Sequence, residues 1–128
     1  ASRLAVAVKL QQALDSVCPQ ATERPFSLRP FGSVALCLCE PESDLDVCVL
    51  AAPSAFRPPF VPAAQAVHFA QMDTATQGRH FLQVVVSPAV DTVARLKREL
   101  LHARVPIVRC TVASVLDSTE EVSVDLTF

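Results

Sequence analysis

Residues 31–50 read FGSVALCLCEPESDLDVCVL, and this stretch decides the fold. It opens on Phe31-Gly32-Ser33 and closes on Asp44-Leu45-Asp46-Val47-Cys48-Val49-Leu50, with the turn-like EPES at 40–43 between. Alternate residues of a strand share a face, so Asp44 and Asp46 stand side by side while Leu45, Val47 and Val49 face a core. Two neighbouring carboxylates repel each other unless a cation lies between them, and their oxygen ligands suit Mg²⁺ or Mn²⁺. Only two glycines occur, Gly32 and Gly78, against about nine expected at ~7% usage. A chain this sparing of glycine that places one at position 32 needs it there. Glycine lets a backbone approach a phosphate closely, and the Gly32 and Ser33 N–H groups with the Ser33 hydroxyl can bind phosphate oxygens. A Gly-Ser pair alone says little; the Asp-x-Asp strand that follows makes it specific.

The last strand extends the same logic. In EVSVDLT (121–127), Val122, Val124 and Leu126 alternate with Ser123, Asp125 and Thr127. A lone buried charge at Asp125 is costly. It makes sense if this strand lies beside 44–50 and Asp125 joins Asp44 and Asp46 in one carboxylate cluster. Three carboxylates can hold two divalent ions about 3.5–4 Å apart, an arrangement that activates an attacking hydroxyl and stabilises a leaving pyrophosphate.

Outward from these segments, the spacing of Leu4, Val8, Leu14 and Val17 predicts a helix over 2–17, ended by Pro19. Strand-like pieces surround Gly32 in 26–39. Residues 51–66, with Pro53, Pro58, Pro59 and Pro62, read as an irregular surface segment. Residues 67–80 are ambiguous, and FLQVVV (81–86) reads as a short strand. Residues 90–103 read as an amphipathic helix with Val90, Val93, Leu96, Leu100 and Leu101 on its apolar stripe. Its basic residues Arg95, Lys97 and Arg98 form a solvated face, with contact to an RNA backbone as the alternative. Strands follow at 105–112 and 120–127. The order of elements predicts a mixed α/β (α+β) domain.

The chain has 128 residues, 51% of them hydrophobic and 19% charged, with net charge −2. That length fits one domain, excludes a disordered tail, and excludes a protein that holds nucleic acid mainly by bulk positive charge. No apolar run is long enough for a transmembrane helix, so no membrane partner is expected. The cysteines are Cys18, Cys37, Cys39, Cys48 and Cys110, without any CxxC pair. They read as buried thiols in a reducing, intracellular setting, mitochondrion or cytoplasm. His68, His80 and His102 show no ligand or triad spacing and read as surface or packing residues.

The motif FGS…SDLDVCVL resembles the signature of the DNA polymerase β-like nucleotidyltransferases: hydrophobic-Gly-Ser, a spacer, then Asp-hydrophobic-Asp-hydrophobic. The stretch Ala103-Arg104-Val105-Pro106-Ile107-Val108-Arg109 ahead of Asp125 is similar to that of noncanonical poly(A) polymerases and terminal uridylyltransferases. The resemblance covers roughly 1–50 and 90–128; residues 51–89 read as a proline-rich insertion. It implies a nucleotidyltransferase palm, a mixed β-sheet with helices packed on one face. It implies that Asp44, Asp46 and Asp125 are catalytic metal ligands, and that Phe31, Gly32 and Ser33 flank the nucleotide triphosphate. Cys37-Leu38 stands where the family often has a Gly-hydrophobic pair. The family's second, base-binding domain is expected to be missing from residues 1–128.

The resulting expectation is an enzyme that adds AMP or UMP from ATP or UTP to an RNA 3′-hydroxyl, using two Mg²⁺ or Mn²⁺ ions. Its partners are an RNA 3′ end, a nucleoside triphosphate, and a multiprotein RNA-processing or ribonucleoprotein assembly. The alternative is an inactive subunit that keeps the nucleotidyltransferase fold as a scaffold in such an assembly. A nucleotidyltransferase acting on a small molecule or protein is a third reading.

Overall fold

The computed structural model describes residues 2–17, 23–31, 45–113 and 121–128. Helix α1 (Ser2–Asp15) leads into strand β1 (Phe26–Phe31), and β2 spans Leu45–Ala51. Two short 3₁₀ turns at Pro53–Phe56 and Ala63–Gln65 precede α2 (Ala66–Ala70) and α3 (Thr74–Phe81). Helix α3 runs through a π-helical segment, Leu82–Val86, into α4 (Ser87–Val90), and β3 (Arg95–Leu100), β4 (Ile107–Ala113) and β5 (Glu121–Thr127) complete the chain. The sheet order is β1-β2-β5-β4-β3. Only β2 and β5 pair in parallel; the other three pairings are antiparallel. This is the expected mixed sheet.

Strict alternation gives the sheet one apolar face. Leu45, Val47 and Val49 of β2, Val108, Cys110 and Val112 of β4, and Val122, Val124 and Leu126 of β5 are all buried. Val6, Leu10 and Leu14 of α1 and Leu82, Val85, Val86 and Val90 of the later helices belong to the same core. Among the described residues, no helix is long and apolar enough to cross a membrane.

The sheet's two edges are managed differently. Edge strand β1 tolerates Pro30, and the side-chain amide of Gln11 on α1 takes the place of a neighbouring strand. Gln11 Nε2 donates to the Phe26 carbonyl at 2.9 Å, and the Leu28 N–H donates to Gln11 Oε1 at 2.7 Å. The other edge, β3, carries Arg95, Lys97, Arg98 and Glu99 and a pairing irregularity between Leu96 and Arg98, two devices that discourage edge-to-edge pairing.

Two expectations are corrected. Residues 81–86 are helical, not a strand. Phe81, Leu82, Val85, Val86, Ala89 and Val90 are the buried apolar positions, a helical recurrence that becomes visible only when the window reaches 90. Pro88 cannot donate to the carbonyl four residues back. Just before it the helix widens, with the Ser87 N–H bonding the Leu82 carbonyl. The helix expected over 90–103 is a turn followed by β3. Pairing with β4 overrides the helix propensity of RLKREL, and the basic run lies on an edge strand rather than a helix face.

The chain has seven phenylalanines. Six of them, Phe26, Phe56, Phe60, Phe69, Phe81 and Phe128, form one aromatic cluster with Phe81 at its centre. The proline-rich segment contributes Phe56 and Phe60, so its rings are anchored in the core while its prolines turn the chain at the surface. His80 joins the cluster: its ring lies against Phe69, and its Nε2 stands 2.8 Å from the Phe60 carbonyl.

Two stability predictions follow from these contacts. Replacing Gln11 by Ala strands the Leu28 N–H and Phe26 carbonyl and is expected to cost about 1–3 kcal/mol by urea unfolding, with faster hydrogen exchange at Leu28. A Cβ on Gly78 falls 2.7 Å from Phe128 Cβ. Gly78→Ala is therefore expected to destabilise by roughly 1–2 kcal/mol, overpacking outweighing the ~1 kcal/mol gain in helix propensity. An unchanged or raised unfolding midpoint contradicts it.

Candidate nucleotidyl-transfer site

The sheet face opposite the core carries a row of charged residues. Pairing registers join Phe31 to Asp46, Asp46 to Asp125, Asp125 to Arg109, and Arg109 to Arg98. Directly paired residues share a face, and neighbouring strands lie about 4.8 Å apart. One row across all five strands therefore reads aromatic, acid, acid, base, base.

Each member of the row is placed by its own strand. Leu45 and Val47 are buried, which forces Asp46 between them onto the open face. Val124 and Leu126 do the same for Asp125. Asp125 is held by Arg109 in a two-point ion pair, Nε to Oδ1 at 2.8 Å and Nη2 to Oδ2 at 3.1 Å. Phe31 is 42% exposed. It is the one phenylalanine outside the aromatic cluster, and it ends β1 immediately before Gly32.

Of the residues singled out from the sequence, the structure brings Phe31, Asp46 and Asp125 together. Asp44, Gly32 and Ser33 lie outside the described residues, as does Cys37. Among the described residues no three His, Cys, Asp or Glu side chains gather into a metal-holding group. The two carboxylates in adjacent register offer oxygen donors of the kind a hard cation takes, while the Arg109 guanidinium already counters one of them. The sequence reading did not single out Arg109 as the partner of Asp125. Arg109 is the single charge of β4 and Asp125 the central charge of β5, and their complementary signs are the one signal that points to the pairing.

Cys110 lies directly behind this row, fully buried on the core face. Burial first, and the Asp125 charge second, push its thiol from 9.0 up to about 12. The folded state therefore holds this proton more tightly than the unfolded one. The resulting stabilisation is complete below pH 9 and is lost as pH rises toward 12. Cys110→Ala removes this loss, so its unfolding free energy should decline less steeply above pH 9 than the parent's. The chain has no tyrosine to confuse the reading. Equal slopes in urea titrations at stepped pH contradict the assignment.

A mixed sheet with helices on one face and paired acids on the other defines a nucleotidyltransferase palm. The chain belongs to the family described as "Poly(A) RNA polymerase, mitochondrial-like, central palm domain", whose model matches residues 1–128. No curated protein matches it significantly.

Among solved structures, the GLD-2/RNP-8 complex is similar at 20% identity and TM-score 0.60, covering 97% of this chain and 38% of that one. The Cid1 poly(U) polymerase bound to Mg and 3′-dATP is similar at 22% identity and TM-score 0.58, covering 97% and 29%. A cytoplasmic RNA terminal U-transferase is similar at 22% identity and TM-score 0.55, covering 97% and 26%. These likenesses show the shared fold. The present chain spans between a quarter and two-fifths of those chains.

Proposed function

We propose that this chain is the catalytic palm of a template-independent RNA 3′-terminal nucleotidyltransferase that adds AMP or UMP from ATP or UTP. The observation that carries the reading is the in-register parallel pairing of Asp46 with Asp125 on the uncovered face, in line with Phe31 at the start of the Gly-Ser motif. Family membership and the fold shared with poly(A) and poly(U) polymerases support it.

In this reading Asp46 and Asp125, with Asp44, hold two Mg²⁺ or Mn²⁺ ions. The ions supply charge neutralisation at the attacking 3′-hydroxyl and at the departing pyrophosphate. The protein's own contribution is position. Buried neighbours fix Asp46 and Asp125 to one side of the sheet, and in this reading Phe31, Gly32 and Ser33 flank the triphosphate. This is catalysis by placement and electrostatics rather than by a covalent intermediate. The partners proposed are an RNA 3′ end and a protein assembly; the GLD-2 structures, with RNP-8 and with GLD-3, are complexes of that kind. Free thiols at Cys48 and Cys110 support an intracellular setting, mitochondrion or cytoplasm.

One observation favours a second reading, an inactive palm kept as a scaffold. Arg109 already neutralises Asp125, so the acid pair persists without a metal. Primer extension by the full-length protein separates the two readings. Labelled RNA, each nucleotide in turn, and Mg²⁺ or Mn²⁺ should give extension. Asp46→Ala should reduce it by roughly a hundredfold or more with little change in unfolding midpoint. Equal extension by the variant ends the catalytic reading, and no extension by the parent with any nucleotide favours the scaffold.

A further inference from the structure

The contact between Arg109 and Asp125 is unlike a loose surface ion pair. Both carboxylate oxygens are engaged by two guanidinium nitrogens, at 2.8 and 3.1 Å. The acid is 17% exposed and the base 44%. Charges on either side press the two together. Asp125 has Asp46 as its neighbour in β2, and Arg109 has Arg98 as its neighbour in β3. The order across four strands is therefore minus, minus, plus, plus, and within this register row opposite signs meet at this pair. Like charges directly opposite on neighbouring strands are destabilising, so each outer charge strengthens the preference of its neighbour for the inner partner. A planar fork suits this contact as a lysine ammonium would not.

We infer that Arg109 is a positioning residue for the acid pair: it serves as a resident cation that holds Asp125 aimed into the row, and it yields Asp125 when a divalent ion binds. This rests on the reading of Asp46 and Asp125 as metal ligands. The guanidinium occupies lone-pair positions on both oxygens and places a positive charge where a second cation is to approach, so it weakens metal binding. In return, the metal-free sheet carries no uncompensated acid pair. The exposed end of Arg109 gives it solvent to move into, whereas Asp125 stays fixed by Val124 and Leu126, both buried. The site is thereby kept folded and aligned without metal, with its affinity set by how readily Arg109 releases the carboxylate.

The test uses the full-length protein and Mn²⁺ as the probe, in titration calorimetry and in thermal melts with EDTA or saturating Mn²⁺. Arg109→Gln is expected to tighten Mn²⁺ binding roughly three- to tenfold, with Arg109→Lys between it and the parent. Its EDTA melting midpoint should fall, while its Mn²⁺-saturated midpoint stays near the parent's, because the ion replaces the missing charge. A purely structural role lowers both midpoints alike. That result, or unchanged or weaker Mn²⁺ binding by Arg109→Gln, overturns the inference. If Arg109→Gln fails to fold, Arg109→Lys decides by the same criteria. A parent that binds no Mn²⁺, or whose binding is indifferent to Asp46→Asn and Asp125→Asn, removes the metal reading and this inference with it. Binding that those two substitutions weaken and Arg109→Gln leaves unchanged removes only the inference.

Discussion

The parallel ladder between β2 and β5 is the contact on which the rest of the molecule depends. It sets Leu45 against Val124 and Val47 against Leu126 on the core side, and Asp46 against Asp125 on the other. Because the side-chain period of a strand is two, a slip of one residue would carry either aspartate into the core and two aliphatic side chains into water. The apolar residues thus enforce the register, and the register places the acids. Burial of Leu45, Val47, Val124 and Leu126 is favourable by about 1.5–3 kcal/mol for each side chain, more than the repulsion between two partly solvated carboxylates takes away. Stability is supplied on one face and the acids are set side by side on the other by the same three residue pairs.

A parallel pair needs a long crossover, and the helices between β2 and β3 belong to that crossover. The aromatic cluster explains how a proline-rich segment serves there. Phe81 is fully buried and meets Phe26 from β1, Phe56 from the first 3₁₀ turn, Phe69 from α2 and Phe128 beyond β5. Rings at 5.1–5.4 Å and steep interplanar angles, as for Phe26, Phe56 and Phe69 around Phe81, are the arrangement that aromatic quadrupoles favour. Pro53, Pro58, Pro59 and Pro62 then need supply no sheet hydrogen bonds. They bend the chain while Phe56 and Phe60 hold it down.

How much of this was legible depended on whether the determining contact is local. The alternation of Val122, Val124 and Leu126 is local and strong, and it announces both β5 and the outward-facing Asp125. The same holds for Leu45, Val47 and Val49 around Asp46. Residues 81–86 read as a strand because a run of β-branched residues resembles one until the burial recurrence at Val85, Val86, Ala89 and Val90 is counted. RLKREL was misread because its leucines also fit a helical stripe, and only the ladder to β4 makes it an edge strand. Arg109 was invisible as the partner of Asp125 because their meeting requires the β4–β5 register, which no pattern within either strand specifies.

Cys110 is buried, yet the Asp125 charge contributes to holding its thiol protonated, so a change of charge on the open face is felt through the thickness of the sheet. Arg109 shortens that reach by closing the field of Asp125 at 2.8 Å. Asp46 stands in the same register one strand farther from β4, and its field is shaped by the same row. If the open face binds metal as proposed, its charge changes there, and a stable fold needs a core that does not respond to the change. Aliphatic partners such as Val108, Val112, Val124 and Leu126 meet that need, since they carry no group whose protonation can follow the charge above them. Cys110 is the single exception in that layer among the described residues. Its sulfur keeps the shape of a small aliphatic side chain, and burial, which pushes its thiol up to about 12, keeps it uncharged near neutral pH.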